Sequence, residues 1–182
     1  VYGDVGVGPY GTIDFQGPSV IEGDLYLDST LAKILTDEGT EIGTRYDEGQ
    51  DLSAAVEDAL TAAEINASRD TTQVFDKIIT SVSNYGNGGM NVINIEGIDY
   101  KKSSVATPLA LTLIGGSEDL FVLNVGGKFV LGPNSSIRGS DLVDPSRVLI
   151  NIQEGNTPAQ FAANHCWPPL IIVRNILRKM QG

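Results

Sequence analysis

The sequence predicts a mainly β fold: a right-handed parallel β-solenoid (β-helix) with one or two α-helices packed alongside. Three observations predict it. Short apolar runs recur along the chain, glycine-rich turns bound most of them, and one stretch without glycine or proline carries helical periodicity instead. The 182 residues suffice for one domain with a real core. The 21 glycines suit many tight turns between short strands.

Residues 1–50 hold the first β-like segments. Val20 to Asp28 alternates in part between apolar and polar side chains, and Gly39 to Tyr46 forms a second, weaker strand, with Gly17-Pro18 and Glu38-Gly39 as punctuation. Residues 51–80 contain no glycine or proline. Leu52, Ala55, Val56, Ala59, Leu60 and Ala63 recur at the spacing of one helical face, which predicts a helix over residues ~51–66 with Asp51 as N-cap. Asp70 and Gln73 have the spacing of a capping box, so a second helix is expected over residues ~72–80. The alanine-rich stripe should lie close against a flat surface such as a sheet.

From Asn84 the β pattern returns. Expected strands are Asn91–Ile95, Leu109–Ile114, Leu120–Val125, Lys128–Leu131 and Arg147–Ile152, separated by Gly115-Gly116, Gly126-Gly127, Gly132-Pro133-Asn134 and Asp144-Pro145. Asn94, Asn124 and Asn151 recur in a Val/Ile-x-Asn-Val/Ile setting. In a solenoid they would stack; in a sandwich they would be exposed alternating positions.

Three segments carry a family resemblance. Val5-Gly6-Val7-Gly8-Pro9-Tyr10-Gly11 and Gly17-Pro18-Ser19-Val20-Ile21-Glu22-Gly23-Asp24-Leu25-Tyr26-Leu27 precede the acidic helix, and the strand runs from Asn91 to Ile152 follow it. Together they resemble bacterial choice-of-anchor (choice-of-anchor A-like) surface domains, related in pattern to the ice-binding-protein-like β-solenoid family. The resemblance covers roughly residues 1–155. It implies an exported β-solenoid with a helix alongside and no catalytic residues. Regular threonine arrays of the kind that bind ice are not visible.

The expected organisation is therefore a β-solenoid domain with an inserted helix over 1–155 and an atypical tail over 156–182. All 23 acidic residues lie at or before Glu154. The tail holds Arg174, Arg178 and Lys179, and the chain's single His, Cys and Trp. A basic tail or a partner-binding helix would explain the shift, and so would a reading-frame slip. His165-Cys166-Trp167-Pro168 must be encoded CAY-TGY-TGG-CCN. Read from the third base of the His codon, this gives Leu-Leu-Ala, and the next codon can encode Pro. Domains of the resembling type run into such a Leu-Ala-Pro segment after this strand pattern. The slip is expected to begin after Gly155, and it would leave the strand near Arg147–Ile152 as an edge open to pairing with other chains.

The net charge of −11 repels nucleic-acid phosphates and anionic membrane surfaces, and no apolar run is long enough to span a bilayer. One cysteine permits no internal disulfide. The chain starts at Val1, which predicts a processed or excised piece with any signal peptide already removed. The expected location is extracellular or at the cell surface.

Catalytic and cofactor-binding residues are expected to be absent. His165 beside Cys166 could form a nucleophilic pair, but adjacent side chains rarely face each other, and one His with one Cys makes a poor zinc site. Paired carboxylates, Asp24 with Asp28 or Glu118 with Asp119, are the candidates for polysaccharide cleavage, with solvated turns as the competing explanation. Asp24, Asp141 and Asp144 have the ligand chemistry for calcium, without an EF-hand or nonapeptide repeat. The expected function is a structural or adhesive surface or matrix module. Its partner would be a polysaccharide, a cell-wall polymer or a host matrix protein. A β-helix enzyme and an ice-binding protein are the alternatives.

Overall fold

The computed structural model describes residues 4–9, 12–13, 19–29, 32–34, 39–152, 160–161 and 171–174. It is mainly β with one helix. The strands are β1 (Val5–Val7), β2 (Thr12–Ile13), β3 (Ser19–Ile21), β4 (Leu25–Asp28), β5 (Lys33–Ile34), β6 (Thr40–Ile42) and β7 (Arg45–Gln50) before the helix α1 (Ser53–Ala67). After it come β8 (Gln73–Ile78), β9 (Val82–Tyr85), β10 (Met90–Asp99), β11 (Leu109–Ile114), β12 (Leu120–Val125), β13 (Phe129–Leu131), β14 (Ser135–Gly139), β15 (Val148–Ile152), β16 (Gln160–Phe161) and β17 (Ile171–Arg174).

The described pairings are parallel. Before the helix, β1-β4-β7 form one sheet, β2 pairs β5 and β3 pairs β6. After it, the large sheet has the order β16-β13-β10-β12-β15-β17, with β8 also on β10, and a smaller sheet has the order β14-β11-β9. Parallel neighbours require a crossover between them, which β11 supplies between β10 and β12. An antiparallel sandwich is thereby ruled out for these strands.

Register aligns like residues in columns. Ile93, Leu123 and Ile150 share one column, Ile95, Val125 and Ile152 the next. These residues, with Phe121, Leu111, Leu113, Phe129 and Tyr100, build the main core. A smaller core gathers Val7, Ile21, Leu25 and Leu27. β12 is buried almost throughout because both its faces are covered, which is why it reads as a continuous apolar run rather than an alternation.

The helix starts two residues later than the sequence spacing predicts. Asp51 does accept a hydrogen bond from Ser53 N (3.0 Å), while Leu52 N donates to Asp28 Oδ2 (2.8 Å). Of the apolar stripe, Ala63 is buried, Leu52, Val56, Ala59 and Leu60 are half-buried, and Ala55 is exposed. The small side chain at 63 lets the helix backbone approach the sheet closely enough for Ala63 O to accept from Asn151 Nδ2 (3.0 Å).

The second expected helix, over 72–80, is a correction: these residues form β8. Val74, Phe75, Ile78 and Ile79 are β-branched or aromatic, and β10 offers them a parallel partner in register from Gln73 to Ile78. Thr72 N donates to Val92 O (2.8 Å), which opens the strand and leaves the Asp70/Gln73 spacing without a helix to cap. The Gly39–Tyr46 expectation resolves into β6 and β7, and Val20–Asp28 into β3 and β4. The strands β9 and β14 carry too few apolar residues to stand out in the sequence. The single left-handed non-glycine residue, among those described, is Asn134 (φ 56°), in the turn between β13 and β14. Among the described residues no helix is long and apolar enough to cross a membrane.

Candidate functional site

Asn94, Asn124 and Asn151 stack. The register places them on adjacent strands, Asn124 Nδ2 donates to Asn94 Oδ1 (3.1 Å), and Asn151 Nδ2 donates to Asn124 Oδ1 (2.9 Å). Each amide also reaches the helix or its exit: Asn151 to Ala63 O (3.0 Å), Asn124 to Asn66 O (3.2 Å) and Asn94 to Thr71 Oγ1 (2.7 Å). Three helical residues rise about 4.5 Å, close to one strand spacing of about 4.8 Å. The last turn of α1 therefore runs along the stacking direction, and the ladder is the seam that holds it.

Among the described residues the ladder runs no further than Asn151. Its Oδ1 is buried and has no hydrogen-bond partner among the described residues. The register partner on β17 is Val173, a residue type with no side-chain N–H. A buried amide oxygen left without a donor costs on the order of 1–3 kcal/mol. Val173→Asn is therefore expected to raise unfolding stability by about 1 kcal/mol. A urea titration checks this; an unchanged or lower midpoint would show that the ladder does not extend to β17.

The paired carboxylates do not converge. Asp24 precedes β4 and Asp28 ends it, four residues apart and about 13 Å along a strand, beyond the spacing that glycoside hydrolysis requires. Asp24 Oδ1 accepts from Thr44 N (2.9 Å), and Asp28 Oδ2 accepts from Leu52 N (2.8 Å). Glu118 is exposed, whereas Asp119 is buried and accepts four hydrogen bonds. They come from Gly88 N (2.8 Å), Gly89 N (3.2 Å) and Asn91 Nδ2 (2.9 Å) on Oδ1, and from Gly116 N (2.8 Å) on Oδ2. Asp144 Oδ1 accepts from Ser146 N (2.9 Å), and Asp141 is exposed. Among the described residues no group of three or more His, Cys, Asp or Glu side chains is placed to hold a metal ion. His165 and Cys166 lie outside the described residues, as does most of the tail.

A cluster not legible in the sequence surrounds Asp99. Lys128 Nζ (3.1 Å), Lys77 Nζ (3.2 Å) and Lys101 Nζ (4.0 Å) approach its Oδ2, and the carboxylate is nearly buried. Register brings them together: Lys77 pairs with Gly97 on β10, and Ile98 N donates to Lys128 O (2.7 Å). Beside the cluster lies an open groove of about 460 Å³ lined by Lys77, Glu96, Gly97, Gly126, Gly127 and Lys128. The three lysines stand 24, 27 and 51 positions from one another in sequence, so only strand pairing could reveal them.

Burial works to raise the Asp99 carboxyl, but hydrogen bonds from Lys128 and Lys77 and the neighbouring positive charges outweigh it and hold it below the ordinary value. The Asp119 carboxyl is held low chiefly by Gly116 N–H, then by Asn91 and the Gly88 and Gly89 amides. A carboxyl with a depressed folded pKa contributes stability that is fully present above its unfolded value, about 3.9, and is lost as pH falls through the folded one. Stability should hold level as pH falls to about 5 and decline below about 4 as these two carboxylates protonate. Thermal melts across that range check this, and Asp99→Asn with Asp119→Asn should flatten the acid limb.

No family model matches the chain, and neither a curated protein nor a solved structure matches it.

Proposed function

We propose that this chain is an exported, non-catalytic module of the bacterial cell surface or extracellular matrix, built as a right-handed parallel β-solenoid with its helix docked alongside, and structural or adhesive in role. The observation that carries the reading is the in-register stacking of like residues, above all the Asn94–Asn124–Asn151 ladder. Columns of this kind arise where successive coils repeat one cross-section. The helix ties the two groups of strands together, which supports one continuous scaffold. Leu52 and Val56 lie against Gly6 and Gly8 at β1, while Ala63 and Asn66 hold β15 and β12. A Cβ at Gly8 would come within 2.6 Å of Val56 Cγ2, so glycine there lets the helix sit close.

A scaffold of this type presents extended, rigid faces, suited to contact with a polymer. The named carboxylates also favour a binding or structural role, since Asp24, Asp28, Asp119 and Asp144 are all engaged with backbone N–H groups. The test is co-sedimentation with cellulose, chitin, peptidoglycan, collagen and ice slurry. Selective pelleting with one polymer is the expected result and names the ligand class. Shortening of soluble polysaccharides without pelleting would replace this reading with an enzymatic one.

A further inference from the structure

We propose that Asn87-Gly88 is a latent self-modification site: Asn87 deamidates through a succinimide when the Asp119 clamp on this turn opens, and the clamp holds the reaction off while it is closed. Residues 87 and 88 are the chain's single Asn-Gly step. Glycine after asparagine leaves the attacking backbone nitrogen without a side chain to shield it. Nothing lies within 4 Å of where a Gly88 Cβ would stand, and both residues are exposed to water. The fold also demands glycine here, because Gly88 has φ +83°. The turn between β9 and β10 therefore carries the reactive step by construction.

In the reaction Gly88 N gives up its proton and attacks Asn87 Cγ. A C–N bond forms, the Cγ–Nδ2 bond breaks, and Nδ2 leaves as ammonia with that proton. Water then opens the cyclic imide at either carbonyl, leaving aspartate or isoaspartate at 87, and nothing is oxidised or reduced. Two hydrogen bonds act on this step in opposite senses. Gly89 N donates to Asn87 Oδ1 (3.0 Å) and polarises the carbonyl toward attack. Gly88 N donates to Asp119 Oδ1 (2.8 Å), which occupies the nucleophile. The carboxylate's negative charge also opposes ionisation of that amide. Asp119 is a poor base for the proton, since the Gly116 N–H above all holds its carboxyl below the ordinary value. Asn91 ties turn and clamp together: its Oδ1 accepts from Asn87 N (3.0 Å) and its Nδ2 donates to Asp119 Oδ1 (2.9 Å).

Either product disables the clamp. A carboxylate at 87 would share the Gly89 N–H with Asp119, which already accepts from it at 3.2 Å, and the two like charges repel. Isoaspartate adds one atom to the main chain between 87 and 88, which displaces Gly88 N from Asp119. One opening of the turn is thereby fixed covalently.

The test is peptide mapping by mass spectrometry of the full chain aged at mildly alkaline pH, scoring the gain of about 1 Da at residue 87. Folded wild type should lose Asn87 at least roughly ten-fold more slowly than the same chain in concentrated urea. Asp119→Ala, kept below its Tm, should lose it at least roughly ten-fold faster than folded wild type, the effect of one charge-assisted hydrogen bond. If Asp119→Ala does not fold, Asp119→Asn replaces it with the same expectation. Leu123→Ala weakens the core at a fully buried position away from the turn and should keep the wild-type rate to within about two-fold. Equal rates in folded and urea-unfolded wild type overturn the proposal, as does a folded Asp119 variant at the wild-type rate. So does Leu123→Ala matching the Asp119 variant, which would show that global unfolding sets the rate.

Discussion

Phe121→Ala is expected to cost about 3–5 kcal/mol of unfolding free energy, the largest effect of any single truncation considered. Phe121 is fully buried on β12, in register with Asn91 on one side and Val148 on the other. A stacked parallel core leaves little room for collapse around such a site, because each strand is pinned by hydrogen bonds to the strands above and below. Both the lost transfer energy and the cavity therefore count. Domains of this kind are stable by about 5–15 kcal/mol, so the variant should unfold at a Tm lower by roughly 10 °C or more. The control is Val105→Ala, at a position 84% exposed, expected to change stability by no more than about 0.5 kcal/mol. Urea unfolding of both variants with unchanged slope is the measurement. Equal midpoints would mean that the column packing around Phe121 is wrong.

Asp119→Ala is the second large effect, with an expected fall in Tm of roughly 5–10 °C. The carboxylate closes two turns at once, holding the Gly88 and Gly89 amides on one oxygen and the Gly116 amide on the other. Removing it strands these donors in a site where the residue is only 3% exposed. The neighbouring glycines are shaped to the carboxylate: a Cβ at Gly86 or Gly115 would stand 2.4 or 2.7 Å from its oxygens. Asp119→Asn sharpens the test. It keeps the shape but turns one acceptor into an N–H₂ that faces other N–H groups, so it should lose much of the same stability. Asp144→Ala, which frees the Ser146 amide at an exposed turn, should lose far less. Hydrogen exchange at Gly88, Gly89 and Gly116 reports the mechanism directly. Faster exchange confined to these amides is the expected outcome, and unaltered exchange would contradict the clamp.

The sequence by itself determined the mainly β class, the single long helix and the strands with the strongest apolar runs. Leu109–Ile114 and Leu120–Val125 appear where glycine pairs bound apolar runs: β12, buried almost throughout, reads as a nearly continuous one, while β11 buries only the alternating Leu111 and Leu113. The alanine stripe likewise announced α1 near its true position, but the N-cap is Leu52, without a side-chain cap, and not Asp51, one residue further out, whose carboxylate accepts from Ser53 N. The recurrence of Asn94, Asn124 and Asn151 was visible too, although sequence left open whether they stack or face solvent. Parallel register settled that in favour of stacking.

Residues 72–80 needed the tertiary structure, since their local spacing suits a helix and only β10 supplies the hydrogen-bond partners that make them a strand. Asp119 was singled out for the wrong reason. In sequence it is half of an acidic pair; in the fold Glu118 is exposed on the turn before β12 while Asp119 is buried and consumed by backbone amides and Asn91. The cluster of Lys77, Asp99, Lys101 and Lys128 had no local signal at all. Lys77 and Asp99 lie on the neighbouring strands β8 and β10, Lys101 just beyond β10 and Lys128 just before β13, and what joins them is a lateral spacing of about 4.8 Å between strands, not any spacing along the chain. Local burial and turn chemistry are encoded residue by residue, whereas a site assembled across parallel strands exists only once the register is fixed.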